Sequence, residues 1–201
     1  MTQIRRSDAE TRPRRAEFRR PGQSHLASAL IALIALICTG IELTLMAADA
    51  RLIGTPVWRS LVYQNGAFWP GLLHGWRPNY DLQPWTMFVS YAFLHGGFGH
   101  LAGNMLTLVA LGRIVAERAG TSGFAIVYAI SAFGGALAFG LASTSPQPMV
   151  GASGALFGLA GARQYWEYAD AGRDPWRVAR SVAGLVLLNV ILWVLLEGLL
   201  A

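Results

Sequence analysis

The stretch that decides the fold is Gly151-Ala152-Ser153-Gly154-Ala155-Leu156-Phe157-Gly158, near the start of an apolar segment that covers residues 150–168. Its glycines, with Gly161 beyond them, recur every three or four residues and form a stripe on one helix face. Such a stripe lets a second helix approach closely inside a membrane. A serine in this setting is more often a packing residue, although a serine flanked by glycines is also a candidate nucleophile. The stretch predicts a closely packed membrane helix.

The composition is that of a membrane protein. The 201-residue chain is 54% hydrophobic and 13% charged, with a mean hydropathy of +0.41, whereas a soluble domain of this length needs more charge on its surface. The net charge is +5, and every basic residue is an arginine. These arginines flank apolar segments, so they indicate membrane topology rather than nucleic-acid binding. The lipid bilayer is the predicted partner, and nucleic acid is not.

Cys38 is the only cysteine of the chain. A single cysteine excludes an intramolecular disulfide framework and a thiol-based metal site. We therefore predict a packing or lipid-facing role for Cys38. The sequence as a whole implies no metal or organic cofactor.

Apolar segments of about 20 residues are long enough to span a bilayer as helices. The chain has five of them: 26–47, 96–112, 123–143, 150–168 and 180–200. The predicted fold is an all-α, polytopic membrane helical bundle over residues 26–201, preceded by an arginine-rich, disordered tail at residues 1–25. A cleaved signal peptide ending at Ala47-Ala48 is a less favoured alternative for the first segment, because the apolar run is too long and further spans follow.

The arginines also predict the orientation of the bundle. Thirteen of the 16 lie in the tail or in the turns that share its side of the membrane, and only Arg51, Arg59 and Arg77 lie on the other side. The positive-inside rule places the N-terminus in the cytoplasm. We expect a multi-pass protein of a bacterial-type plasma (inner) membrane, with residues 48–95 and 143–149 on the outer side.

Residues 48–95 are too long and too aromatic for a plain loop. Tryptophan and tyrosine favour the headgroup level of a bilayer. We predict a folded element in the outer interface, helical around Val57–Tyr63. Glu42, late in the first span, is expected to snorkel or pair near this interface.

A second polar cluster, formed by His95, His100 and Asn104, opens the second span. His100 and Asn104 are one helical turn apart and share a face. A single polar residue there would be read as an interhelical hydrogen bond, but two at helical spacing beside a third favour a functional cavity. No acidic or cysteine ligand lies at a spacing suited to a metal site.

The predicted topology brings this cluster and Ser153 to the same membrane depth. The second span runs inward from the outer side, and the third returns the chain outward. His100 and Ser153 therefore both lie near outer helix ends, where free N–H groups and a positive dipole are available. A hydroxyl beside hydrogen-bond donors is an acyl-transfer arrangement.

These residues resemble the rhomboid family of intramembrane serine proteases, over about residues 57 to 200. The most specific matches are Leu94-His95-Gly96-Gly97-Phe98-Gly99-His100 through Asn104, and the Ser153 stretch. The resemblance implies that Ser153 attacks the scissile carbonyl of a transmembrane protein substrate, while His100, Asn104 and the Ser153 N–H bind the oxyanion. It gives supporting places to His95, Gly151, Gly154 and Phe157.

The chain departs from the family pattern in two places. The family's Trp-Arg pair before the second span appears as Trp85-Thr86. The family's general base is a histidine on a sixth span, packed on the glycine face of the fourth. Here every histidine precedes Ser153: His25, His74, His95 and His100.

The 201 residues are thus expected to be a C-terminally incomplete rhomboid-like domain, with five of six spans and no turnover as such. We expect the genomic frame beyond Ala201 to encode a further span with a histidine, and an exposed apolar groove beside Gly154, Gly158 and Gly161. The alternatives are a catalytically dead rhomboid-like protein that binds membrane clients and, more distantly, a transporter fragment. The oligomeric state is not predicted.

Overall fold

The computed structural model describes residues 21–170, 172, 174–176, 178–180 and 182–184. Its helices are α1 (Pro21–Asp49), α2 (Val57–Gly66), α3 (Gln83–Ser90), α4 (Phe98–Ala142) and α5 (Ser153–Asp170), with 3-10 turns at Pro70–Leu73 and Tyr91–Phe93. The predicted all-α class is confirmed. Most of the predicted tail and of the predicted 180–200 span lies outside the described residues. Because α1 begins at Pro21, a residue suited to a first helical turn, the last five residues of the predicted tail are helical instead.

Two of the described helices are long and apolar enough to cross a membrane, at His25–Asp49 within α1 and at Phe98–Ala142. Residues 98–142 take in two of the spans predicted from the sequence. α5 is more polar than these two helices, because it carries Arg163 and Glu167, which pair with each other at 2.7 Å. The interfacial element contains α2, in agreement with the helix predicted around Val57–Tyr63, and α2 has no buried residues.

α4 is one continuous run of helix that folds back on itself at Gly120. Gly120 has φ 77° and ψ 177°, outside the helical region, and this positive φ suits only glycine well. A β-carbon on Gly112 would lie 3.1 Å from Cε2 of Phe124, although twelve residues of straight helix would separate them by about 18 Å. The arms 98–119 and 121–142, joined by a one-residue reversal, therefore contain nearly all of the second and third spans predicted at 96–112 and 123–143.

Contacts at both ends show how α5 lies against the first arm of α4. At one end, Gly151 lies against the ring of His100. At the other, Nη2 of Arg118 donates to Oδ1 of Asp170 at 2.8 Å. That hydrogen bond lowers the pKa of the Asp170 carboxyl. α5 therefore runs parallel to the arm 98–119, and the starts of both helices share one end of the bundle, as the predicted topology requires.

The main apolar core joins α1, both arms of α4 and α5. Cys38, Leu108, Val115, Phe124 and Leu159 are all fully buried in it. Cys38 is thus a packing residue, one of the two roles predicted for it. A second cluster around Phe68 and Tyr91 fixes the interfacial element onto the arm 121–142.

The glycine stripe of α5 contacts a different neighbour from the one predicted. A β-carbon on Gly158 would overlap the side chain of Ser131, and one on Gly154 would lie 3.7 Å from Cα of Gly135. Both glycines therefore pack on the arm 121–142, and the prediction that they border an open groove was wrong. The helix that approaches α5 closely at these two glycines is the third span. Only Gly161 has open space, with no described atom within 4 Å of its β-carbon position.

Substituting alanine at Gly158 is expected to lower the free energy of unfolding by about 1–3 kcal/mol, the usual cost of overpacking. The added methyl group would collide with Ser131. Unfolding in mixed detergent micelles measures the change. Gly161→Ala is the matched control, expected to be neutral or to gain up to about 1 kcal/mol from helix propensity. Ser131→Gly should restore part of the loss in the Gly158→Ala background, and equal effects at Gly158 and Gly161 would contradict the packing described.

Candidate active site

Ser153 is the first residue of α5, as predicted, and its side chain is half-buried. The chain enters the helix through Gly151, whose φ of 115° is strained for any other residue. The Gly151 N–H donates to the Tyr91 carbonyl at 3.0 Å, and the Leu156 N–H donates to the Ala152 carbonyl at 3.1 Å. The amide of Ser153 thus lies in the first turn, where N–H groups precede the helical ladder and the dipole is positive.

His100 lies at the start of α4, directly against the turn that leads to Ser153. A β-carbon on Gly151 would be 2.8 Å from both Cε1 and Nε2 of the His100 ring. Glycine is therefore required at position 151 for its conformation and for its lack of a side chain. The His100 ring thus contacts Gly151, which is two residues before Ser153. The catalytic roles of His100 and Ser153 are predictions.

Asn104 is buried one turn below His100. Its Nδ2 donates to the His100 carbonyl at 2.8 Å, so one of its two amide hydrogens is used within α4. Its Oδ1 has no hydrogen-bond partner among the described residues. The second amide hydrogen is the one that could serve an oxyanion.

His95 is fully buried just before α4. Its ring meets the His100 ring edge to face, with the centroids 5.2 Å apart. Within the described chain, neither ring nitrogen of His95 makes a hydrogen bond of normal geometry. Its backbone carbonyl is well bonded, because the Tyr63 hydroxyl donates to it at 2.6 Å and Nη1 of Arg59 donates at 3.2 Å.

Arg59 connects this carbonyl to α1. Its guanidinium pairs with both oxygens of Glu42, at 2.9 and 3.1 Å, and its Nε donates to Asp49 at 2.7 Å. Glu42 is fully buried and Arg59 is 22% exposed. Burial alone would lower the pKa of Arg59, but the hydrogen bonds to Glu42, Asp49 and Tyr63 outweigh it and raise that pKa.

The expectation that Glu42 pairs near the interface is confirmed, but the sequence did not identify its partner. The available signal was an acidic residue inside an apolar run, which requires a cation nearby. Arg59 lies 17 residues further along the chain, and only the turn between α1 and α2 brings the two together. Arg59 and Tyr63 were not predicted as part of the site.

Phe157 and Gly154 are one helical turn apart on α5, in its first two turns. Phe157 is 49% exposed, consistent with the open side predicted for it. A β-carbon on Gly154 would lie 3.0 Å from the Tyr91 hydroxyl, so Gly154 packs against the interfacial element and is half-buried. No group of three or more His, Cys, Asp or Glu side chains able to hold a metal ion occurs in the part of the chain that the structure describes.

Comparison with known proteins identifies the family of the chain. The Rhomboid domain profile matches residues 82–200, more than half of the chain. RHOMBOID-like protein 5 of Arabidopsis thaliana is 43% identical over 75 residues, which are 37% of this chain and 24% of that protein. RHOMBOID-like protein 2 of the same plant is 34% identical over 107 residues, 53% of this chain and 28% of that protein. Rhomboid protease GluP of Bacillus subtilis (strain 168) is 29% identical over 106 residues, 53% of this chain and 20% of that protein.

The chain spans between 20% and 28% of the length of these three relatives. No solved structure was found to match it. The family profile nevertheless covers α4, α5 and the turn between them, which together carry His100, Asn104 and Ser153. The chain is a membrane protein and belongs to the rhomboid family.

Proposed function

We propose that this protein is an intramembrane serine endopeptidase that cleaves transmembrane protein substrates. The observation that carries the proposal is the contact between the His100 ring and Gly151, which sets a histidine from one helix start against the turn leading to Ser153. Placing polar side chains inside a membrane costs free energy, so a cluster of this kind supports a functional site. The name of the Bacillus relative, a rhomboid protease, supports the same activity.

In the proposed mechanism the Ser153 hydroxyl attacks the scissile carbonyl and its proton passes to a general base. The tetrahedral intermediate then expels the amine, which takes that proton, and leaves the acyl group on Ser153. Water hydrolyses this ester in a second step of the same kind. The Ser153 N–H, the His100 ring and the free amide hydrogen of Asn104 are the proposed donors to the oxyanion.

No histidine follows Ser153 within the 201 residues, so a histidine base from within them would have to precede Ser153. His95 is close to His100, but its ring is enclosed. We therefore propose that the 201-residue chain by itself does not turn over. Loss of one member of a nucleophile–base unit costs about 10⁴ to 10⁶ in rate.

We further propose that the N-terminus lies in the cytoplasm and that the site opens to the outer side of a bacterial-type plasma membrane. The arginine distribution supports this orientation. The interfacial element adds support, because the exposed indole rings of Trp58, Trp76 and Trp85 suit the headgroup level. Water would reach Ser153 from that side.

A second candidate function is a catalytically dead rhomboid-like protein that binds membrane clients. The observation that favours it is that the ring of His95, beside His100, is fully buried and enclosed, which suits a base for Ser153 poorly. Such a protein would keep the fold and hold transmembrane segments without cutting them.

A serine-directed phosphonate probe separates the two functions. The product of the complete reading frame should be labelled at Ser153, and the 201-residue chain weakly or not at all, because labelling needs a hydroxyl activated by a base. Mass spectrometry of the labelled peptide identifies the site, and Ser153→Ala serves as the blank. A complete product that stays unlabelled yet co-purifies with transmembrane clients would favour the client-binding function. Strong labelling of the 201-residue chain would show that a group within it acts as the base.

A further inference from the structure

One peptide group joins the charged cluster of the interface to the histidine of the candidate active site. The carbonyl of the His95–Gly96 peptide accepts hydrogen bonds from the Tyr63 hydroxyl, at 2.6 Å, and from Arg59, at 3.2 Å. The N–H of the same peptide, on Gly96, donates to Nδ1 of His100 at 3.2 Å. The carbonyl edge of this peptide therefore faces Arg59 and Tyr63, and its N–H edge faces His100.

We propose that Arg59 and Tyr63, anchored by Glu42, act as positioning residues that fix the tautomer of His100 through this peptide. A backbone N–H can only donate, so Nδ1 of His100 must be the acceptor. In a neutral imidazole the proton then resides on Nε2. The tautomer follows from the hydrogen bond alone, while its catalytic meaning rests on the proposed function.

The Nε2 edge of the ring faces the turn that leads to Ser153. Nε2 lies 2.8 Å from the β-carbon position of Gly151. Fixing the proton on Nε2 therefore directs an N–H donor toward the place where the oxyanion forms in the proposed mechanism. The opposite tautomer would present a lone pair there and repel the developing negative charge.

The charge of Arg59 is expected to strengthen the hydrogen bond from the Gly96 N–H to Nδ1 of His100. Hydrogen bonds from a cation are stronger than neutral ones, and a carbonyl that accepts them polarises its own amide, so the N–H becomes a better donor. Glu42 is fully buried and binds both Nη atoms of Arg59. The guanidinium is thus fixed in place and cannot swing into solvent.

Nitrogen-15 NMR of the complete protein in bilayers, with labelled histidine, tests the inference without reference to activity. Wild-type His100 should show a protonated Nε2 and an unprotonated Nδ1, with His100→Asn used for assignment. Tyr63→Phe removes the 2.6 Å bond to the His95 carbonyl and leaves no buried charge unpaired. The ratio of the Nε2–H to the Nδ1–H form should then fall roughly tenfold, which corresponds to about 1.4 kcal/mol.

Tyr80→Phe is the matched control. Its hydroxyl bonds to the Asn65 carbonyl and to Thr86 within the same interfacial element, whereas the His95–Gly96 peptide bonds to Arg59, Tyr63 and His100. The control should leave the His100 spectrum unchanged. Arg59→Lys keeps the positive charge but loses the planar guanidinium with its several N–H donors. It should shift the tautomer ratio in the same direction as Tyr63→Phe.

Kinetics on a transmembrane reporter supply the second readout. Tyr63→Phe should lower kcat by about tenfold with KM unchanged, less than the roughly 10² to 10³ typical of losing a whole oxyanion donor. The inference is overturned if wild-type His100 carries its proton on Nδ1, or if Tyr63→Phe and Tyr80→Phe give the same spectrum. If the spectra respond as expected but Ser153 is never labelled, the proposed function fails while the tautomer assignment stands.

Discussion

Ser153→Ala in the product of the complete reading frame should abolish cleavage of a transmembrane reporter, a loss of about 10⁴ to 10⁶ in rate. The methyl group cannot form the acyl intermediate, so only the surrounding donors would remain to assist water. Ser153 starts α5 and is half-buried, so its hydroxyl is not part of the closed apolar core. Expression and membrane insertion should be unchanged, and gel-based reporter cleavage in proteoliposomes measures the rate.

The neighbouring polar residues give a graded series against which this result can be judged. His100→Ala and Asn104→Ala should each lower the rate by roughly 10 to 10³, because the remaining donors still stabilise the oxyanion. Ser131→Ala is the control, since Ser131 is a second serine facing α5 but lies one turn further along, against Gly158. Residual cleavage in Ser153→Ala comparable to that in Ser131→Ala would rule out Ser153 as the nucleophile.

The second large effect is expected in stability, at Arg59. Replacing Arg59 with leucine leaves the fully buried Glu42 carboxylate without its partner. Breaking a buried pair in this way costs about 3–5 kcal/mol, so the free energy of unfolding in mixed detergent micelles should fall by that amount. The double variant Glu42→Leu with Arg59→Leu should recover most of the loss, because two apolar side chains of similar volume replace the pair.

An exposed ion pair supplies the comparison for Arg59. Asp170→Asn removes the partner of Arg118, and both of these side chains are largely in solvent. Exposed pairs contribute little to stability, so this variant should unfold like the wild type. Equal losses in Arg59→Leu and Asp170→Asn would mean that burial of Glu42 is not what makes its pair important.

Sequence reasoning succeeded where one local property decides the structure. Apolar runs located α1 and both arms of α4, and glycines around Ser153 marked the start of α5. The alternation of spans correctly brought the start of α5 to the start of α4, because a chain that crosses a membrane must return to the same side after every second span. The family resemblance agreed with the profile match at residues 82–200.

It failed where the answer depends on which surfaces meet. A stripe of glycines shows that something packs closely but not what, and Gly154 and Gly158 turned out to face Ser131 and Gly135. The partner of Glu42 could not be identified, because Arg59 approaches it only after the chain has turned into α2. The backbone hydrogen bond to His100 has no sequence signal at all, since every residue except proline carries a backbone N–H.

The length of α5 makes the position of Ser153 sensitive to the tilt of that helix. If α5 tilts as a rigid body about the end where Arg118 pairs with Asp170, Ser153 at the other end is the residue that moves furthest. With 18 residues, α5 is a lever of about 27 Å at ~1.5 Å per residue. A tilt of about 5° then displaces Ser153 by roughly 2 Å while hardly moving Asp170, a geometric amplification that follows from the same rise per residue. The distance between Ser153 and His100 is therefore sensitive to the tilt of α5, and the exposed Arg118–Asp170 pair lies about one helix length away from it.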